Sequence, residues 1–221
     1  MADHLTDDEQ LQQLKNWWKD NGTSLIIAVL VGLIAYFGFQ GWQNHQQQQA
    51  EQASALYSEL LETLTVDAQQ SLSEEKKTTA NYLTEQLQNE YKSSQYAANA
   101  SFLSAKTAVD DNKLDIAEKA LLWVVENGNK PAKALAELRL ARIYLAQKKY
   151  AAALVLVNTE VETTFLSLHA ELKGDVFTAQ GEWLSAREAY QQAIDSLGDS
   201  SSFRRSLLPI KLANLPAGEK K

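Results

Sequence analysis

One stretch near the N-terminus contains no charged residue. Gly22–Trp42 is 21 residues long without Asp, Glu, Lys or Arg, and its centre, Leu25–Phe39, is apolar throughout. A helix of that length spans about 30 Å, which matches the hydrocarbon thickness of a bilayer. Trp17 and Trp18 precede the stretch and a further tryptophan ends it, as expected for aromatic side chains at the two membrane interfaces. The pattern predicts a transmembrane helix over 22–42.

Two other structures produce a similar apolar run. A buried core helix seldom continues this far without a charge. A cleaved signal peptide has a shorter apolar region, a positively charged lead-in and a small-x-small site close behind it. Here residues 1–21 hold five acids and two lysines, and the small-residue triplet Ala53–Ala55 lies too far beyond Phe39 for that geometry. We therefore expect the segment to be retained as an anchor.

The basic residues near this segment predict its orientation. Lys15 and Lys19 lie on its N-terminal side, whereas the first lysine or arginine after it is Lys76. Basic residues close to a membrane helix favour the cytoplasmic side. We expect residues 1–21 to form a cytoplasmic tail and the C-terminal domain to lie outside, which in a bacterium is the periplasm.

Three small residues share one face of the predicted membrane helix. Ala28, Gly32 and Ala35 are spaced at i, i+4 and i+7. Small side chains allow another helix to approach closely, so this face is a candidate contact with a second transmembrane helix. The alternative is that the residues are incidental, because glycine and alanine are common in such helices.

The remainder of the chain has the apolar period of helices. Ala53–Leu64 follows an amphipathic pattern, and no proline or glycine separates it from the membrane segment, so we assign 43–92 to a helical stalk and first helices. No strand-like alternation persists downstream. The pattern predicts an all-α fold with seven to nine helices after the anchor. Turn signals occur at Asp110–Asn112, Asn127–Pro131, Gln147–Lys149, Gln180–Glu182 and Leu197–Asp199.

A pattern of paired small residues recurs about every 34 positions along the chain. Ala105, Ala141 and Gly174 are its first members, and an alanine follows each of them twelve positions later. A helix-turn-helix unit of this length resembles the tetratricopeptide repeat. The resemblance implies a solenoid of helical hairpins over 93–221, closed by a capping helix within Phe203–Leu215 that Pro209 shortens.

The repeats depart from the usual pattern. Ser101, Glu137 and Ala170 stand where an aromatic residue commonly opens the first helix. In a tetratricopeptide solenoid the first helix of each hairpin forms the concave face, and this face is the expected site of partner binding. Its predicted residues are Phe102, Lys106, Val109, Leu138, Arg142, Leu145, Glu171, Asp175 and Thr178.

Composition narrows the classes of function. The chain has 221 residues, is 45% hydrophobic, contains no cysteine and has a formal net charge of −7. Disorder, disulfides and thiolate metal sites are thereby excluded, and the acidic balance argues against nucleic-acid binding. His4, His45 and His169 lie far apart in the sequence, and no nucleotide-binding or hydrolase motif occurs. We expect neither enzymatic activity nor a cofactor or metal, although an unrecognised carboxylate site would make the chain a membrane-bound enzyme.

The complete layout resembles the YfgM family. The resemblance rests on the lead-in Trp17–Gly22, the single anchor, Tyr96–Ala100 and the Gly-Asp-x4-Gln-Gly pattern of Gly174–Gly181. It implies an inner-membrane, ancillary subunit of the SecYEG translocon in Gram-negative bacteria, with no established catalytic residue.

The resemblance also implies partners. These are a membrane-anchored periplasmic chaperone of the parvulin type, PpiD, and unfolded client proteins emerging into the periplasm. A regulatory link to the Rcs response regulator would involve residues 1–21. The alternative is a membrane-anchored tetratricopeptide scaffold for envelope assembly or cell division. Whether clients bind directly, or the solenoid holds only the chaperone, stays open.

Overall fold

In the computed structural model, which describes residues 7–65, 72–159, 163–198 and 202–216, every regular element is an α helix. The chain divides into two compact units, Met1–Gln52 and Ala53–Lys221. The predicted all-α fold is confirmed. The helices are α1 Asp7–Leu64, α2 Glu74–Glu90, α3 Gln95–Asp110, α4 Leu114–Asn127, α5 Lys130–Ala146, α6 Tyr150–Val157, α7 Thr163–Gln180, α8 Trp183–Asp195 and α9 Ser202–Ala213.

The first unit contains the apolar stretch predicted to cross the membrane. Among the described residues, α1 is the only helix that is long and apolar enough to do so. Between Leu25 and Phe39 its large apolar side chains are exposed on all sides of the helix, and Ile34 and Phe37 are 72% and 66% exposed. A core helix of a soluble protein would bury such side chains, so the exposure fits a segment surrounded by lipid.

The second unit begins within α1. Ala53 and Leu60 are buried together with residues of α2 and with Ala97 and Ala100 of α3. The amphipathic pattern predicted the buried side of this segment, although Leu61 is exposed. Because these contacts join α1 and α2 to α3, the segment 53–92 packs with the repeats, and the predicted boundary at residue 93 passes through one packed unit.

Three helices, α2, α3 and α5, begin at a side-chain cap. The Ser73 hydroxyl accepts from the Lys76 N–H before α2, and the Ser94 hydroxyl accepts from the Ala97 N–H before α3. The Asn129 side chain does the same before α5, and Pro131 occupies the first turn, where its missing N–H has no helical partner to lose. These short polar segments therefore direct where α2, α3 and α5 begin.

Three hairpins, α3–α4, α5–α6 and α7–α8, are built on the same turn. Asn112, Lys148 and Gly181 each adopt a positive φ, of 58°, 61° and 80°. The next N–H donates in each case to a carbonyl five residues earlier, over 2.7 Å, 2.8 Å and 2.9 Å. These turns recur at the same two intervals along the chain as the small residues of the sequence pattern.

The capping helix α9 covers the last hairpin. Leu208 and Leu215 are buried against Ala186, Tyr190 and Ala193 of α8. The expectation that Pro209 shortens this helix is wrong, because α9 continues through Pro209 to Ala213. A proline removes one helical hydrogen bond, and burial of the leucines on either side stabilises the segment despite that loss.

We predict that Lys148→Gly stabilises the repeat unit. A side chain in the left-handed region costs about 1–2 kcal/mol, whereas the added chain entropy of glycine costs about 0.5–1 kcal/mol. The net gain should be about 0.5–1 kcal/mol in chemical denaturation of the detergent-solubilised chain. Lys119→Gly, on the exposed face of α4, is the matched control and should lose about 1 kcal/mol. Equal signs for the two changes would contradict the argument.

Candidate partner-binding groove

A groove of about 320 Å³ separates α3 from α5. Its apolar side chains come from both helices and from α4, and charged groups stand at its edge. We call it the α3–α5 groove. Phe102, Ala105, Val109, Leu121 and Ile143 supply the apolar surface, and Lys106, Asp110, Arg139 and Arg142 supply the charges.

Arg139 lies across the aromatic ring at the centre of this groove. Its guanidinium carbon is 4.6 Å from the centroid of the Phe102 ring, which is cation–π geometry. Burial lowers the pKa of Arg139, and the neighbouring positive charge of Arg142 lowers it further. Within the described part of the chain neither guanidinium forms an ion pair. The groove therefore concentrates positive charge that no carboxylate of its own neutralises.

A second hollow, of about 530 Å³, extends the groove towards the start of α3. It shares Phe102, Lys106 and Arg139 with the first hollow and continues past Asn99 to Gln95. The part of α3 from Gln95 to Asp110 corresponds to about 22 Å of helix. The two hollows thus follow one edge of α3 over most of its length.

The structure places the predicted concave-face residues in different environments. Phe102, Lys106 and Val109 of the first hairpin all line the groove, and so does Arg142 of the second. The prediction that Leu138 is accessible is wrong: it is 2% exposed and packs against residues of α6 and α7. Leu145 is half-buried against the same cluster.

Sequence reasoning missed Arg139 and Leu135, which line the groove from α5. The accessible face of α5 is therefore Leu135, Arg139 and Arg142 at i, i+4 and i+7, which is the predicted set moved back by three positions, so that Arg142 belongs to both. Because α5 packs against α4, α6 and α7, it is apolar on several sides and its pattern does not mark one exposed face. The sequence feature that could have marked the accessible face of α5 was the pair of arginines, Arg139 and Arg142, three positions apart.

The predicted residues of the third hairpin are engaged within the protein. Lys211 of α9 lies 2.9 Å from Glu171 and 2.7 Å from Asp175, and Arg204 lies 3.2 Å from Glu171. The Tyr190 hydroxyl donates to Asp175 over 2.7 Å. Thr178 donates to the Gly174 carbonyl and also contacts the Tyr190 hydroxyl. These groups fasten α9 to α7 and α8.

This ion-pair cluster shifts the ionisation of its members. Burial alone would raise the pKa of Glu171, but hydrogen bonds and charge from Lys211 and Arg204 outweigh burial and hold that pKa below its ordinary value of 4.5. Burial opposes the charge of Lys211, yet Asp175 and Glu171 raise its pKa. The cluster is charged at neutral pH and joins two elements of the fold.

The small residues of the membrane helix lie on an open surface of the first unit. Ala28, Gly32 and Ala35 are exposed, and a Cβ placed on Gly32 would meet no atom within 4 Å. The face has room for a neighbouring helix. Its use as a helix contact stays a prediction.

The two histidines that the structure describes, His45 and His169, belong to different units. His169 is buried, and its burial lowers its pKa. His45 is exposed in the first unit, and His4 lies outside the described residues. Among the residues that the structure describes, no group of three or more potential ligands could hold a metal ion.

Comparison with known proteins identifies similar chains over nearly the full length. A family model described as a tetratricopeptide repeat-like domain matches residues 15–217. A Neisseria gonorrhoeae protein named ancillary SecYEG translocon subunit is 35% identical over 97% of this chain and 100% of its own length. Proteins of the same name from Haemophilus influenzae and Escherichia coli are 29% and 26% identical over 97% of this chain and 100% and 99% of their own lengths. No solved structure matches.

We predict that Glu171→Gln destabilises the repeat unit by about 1–3 kcal/mol at pH 7, because Arg204 then lacks a charged acceptor and Lys211 keeps only Asp175. The lowered pKa of Glu171 means that its contribution is fully present above pH 4.5 and is lost as the pH falls through the folded-state value. Denaturation curves of wild type and variant should converge in acid. Glu188→Gln, at an exposed position of α8, should be neutral throughout, and a pH-independent difference for Glu171→Gln would contradict the assignment.

Proposed function

Because the chain belongs to the YfgM family of ancillary SecYEG translocon subunits, we propose that it is a non-catalytic inner-membrane subunit of that translocon whose repeat unit binds a periplasmic chaperone partner, emerging clients or both. The observation that carries this proposal is similarity to proteins of that name over 97% of the chain. An alignment of that extent includes both the membrane segment and the repeats.

The features of each unit support a division of labour. The exposed apolar helix of the first unit would hold the chain beside the translocon, with the face of Ala28, Gly32 and Ala35 towards another membrane helix. The open groove of the second unit would receive a polypeptide. Arginines beside an apolar surface are suited to protein recognition, and the tetratricopeptide architecture presents such grooves for partners.

The orientation is part of the proposal. Lys15 and Lys19 favour a cytoplasmic N-terminus, which would put Ala53–Lys221 in the periplasm, where it would meet a PpiD-like membrane-anchored chaperone and translocated clients. Contact with an Rcs-type response regulator would then fall to the cytoplasmic residues 1–21.

Affinity purification of the tagged full-length protein in mild detergent, read by quantitative mass spectrometry, tests the proposed function. We expect enrichment of SecYEG and of a parvulin-type chaperone. A matched variant carries an unrelated transmembrane helix in place of residues 22–42. Loss of SecYEG with retention of the chaperone in that variant would assign the translocon to the anchor and the chaperone to the repeats. Recovery of envelope-assembly or division proteins without SecYEG would refute the proposal.

We predict that Gly32→Leu lowers the recovery of SecYEG several-fold, because a large side chain on this face keeps a neighbouring helix from close approach. Gly41→Leu is the control, since a Cβ on Gly41 would likewise meet no atom within 4 Å but this residue lies about 180° from Gly32 and at least about 120° from Ala28 and Ala35 around the helix. Both variants should insert equally, as judged by their amounts in purified membranes. Equal recovery of SecYEG with the two variants would exclude this face as the contact.

A further inference from the structure

The α3–α5 groove carries a charge that contrasts with the protein as a whole. The chain has a formal net charge of −7, whereas the groove brings together Lys106, Arg139 and Arg142 with one acid, Asp110. Lys106 and Asp110 are paired one helical turn apart, 2.9 Å from each other. Among the described residues, the two arginines therefore carry the positive charge of the groove that has no ion-pair partner. Such a charge favours the binding of an anionic group.

Arg139 is held in place for such a group. Its guanidinium carbon lies 4.6 Å from the centroid of the Phe102 ring, and the guanidinium has five N–H donors that can bond to a carboxylate. Arg142, three positions further along α5, lies on the same side of the helix. Burial and the charge of Arg142 lower the pKa of Arg139, and a bound anion would oppose this lowering because an opposite charge favours the charged guanidinium.

The apolar part of the groove indicates a second requirement. Phe102, Ala105, Val109, Leu121 and Ile143 all line it, and Val109 is 43% exposed. A large apolar side chain entering here would remove this surface from water, with a gain of about 25 cal/mol per Å² of apolar area buried.

The length of the groove indicates a polypeptide. The edge of α3 from Gln95 to Asp110 is about 22 Å long, which accommodates six or seven residues of extended chain. Gln95 and Asn99 along that edge carry amides that can bond to a peptide backbone. A small anion would leave most of this length unused.

From these observations, and resting on the proposed function, we infer that the α3–α5 groove selects an extended polypeptide segment in which one large apolar residue is flanked by acidic residues. In an extended chain the apolar side chain points to one side and its two neighbours to the other. The apolar residue would contact Phe102 and Val109, and the flanking carboxylates, about 7 Å apart, would reach Arg139 and Arg142.

Fluorescence anisotropy with defined peptides tests this inference on the full-length protein in phosphatidylcholine nanodiscs. The probe is a labelled seven-residue peptide with Asp-Phe-Asp at its centre and serine and glycine elsewhere. Two comparison peptides replace the centre with Asn-Phe-Asn or with Asp-Ser-Asp. We expect the probe to bind at least tenfold more tightly than either, and its affinity to fall as salt is raised.

Paired variants identify the groups responsible. Arg139→Gln together with Arg142→Gln should weaken binding of the probe at least tenfold and abolish its advantage over Asn-Phe-Asn. Lys119→Gln together with Lys133→Gln removes the same charge from positions outside the groove and should leave binding unchanged. Circular dichroism should show the same helicity for all proteins. Equal effects of the two double variants, or no preference among the peptides, would overturn the inference.

Two further outcomes are distinguishable. If laurate displaces the probe and binds more tightly than it, and the arginine variants abolish that binding, the groove is a site for a fatty acid and the polypeptide assignment fails. If the peptides show no preference while SecYEG and the chaperone still co-purify, the inference fails and the proposed function stands. If the probe binds as expected but SecYEG does not co-purify, the groove chemistry stands and the proposed function fails.

Discussion

The close approach of α7 and α8 is the constraint on which the end of the repeat unit depends. A Cβ on Gly174 would lie 2.5 Å from the ring of Tyr190, so only glycine permits this separation. At this distance the Tyr190 hydroxyl reaches Asp175, and Asp175 in turn receives Lys211 of α9. A missing side chain on one helix therefore determines how the capping helix is held.

The α3–α5 groove exists because buried side chains fill the junction between α5 and α7 but not the junction between α3 and α5. Between α5 and α7, Leu138 and Leu172 are buried and occupy the space that separates the two first helices. Between α3 and α5, the cation–π pair of Phe102 and Arg139 takes that place, and a hollow is left beside it. Adjacent hairpins of one solenoid thus differ in whether their junction is a core or an accessible surface.

Much of this fold is predictable from the sequence, because period and turn chemistry are local. The interval between hairpins, the helix ends at Asp110, Asn127 and Gln180, and the apolar membrane segment all follow from neighbouring residues. The groove residues of the first hairpin follow from the tetratricopeptide register of the repeats. The exposure of α5 side chains does not follow from that register, because it depends on tertiary packing. Helix α5 has neighbours on several sides, so its repeat positions do not show that Leu138 is buried and Arg139 is accessible.

The same limit applies to the capped end. Glu171 and Asp175 resemble surface acids in the sequence because exposed helix faces commonly carry such residues. Their partners, Arg204 and Lys211, lie 33 and 40 positions from Glu171. Separations of this size leave no pattern in a single sequence, whereas three-dimensional packing brings the four groups together.

The turns at Asn112, Lys148 and Gly181 have the same geometry, so the backbone enters and leaves each hairpin in the same way. An insertion or deletion that joins two equivalent turn residues changes the solenoid by a whole hairpin and leaves every remaining pair of helices matched. Growth or shortening of this domain by such exchange proceeds in steps of about 34 residues, provided that the last hairpin retains the acids that receive α9.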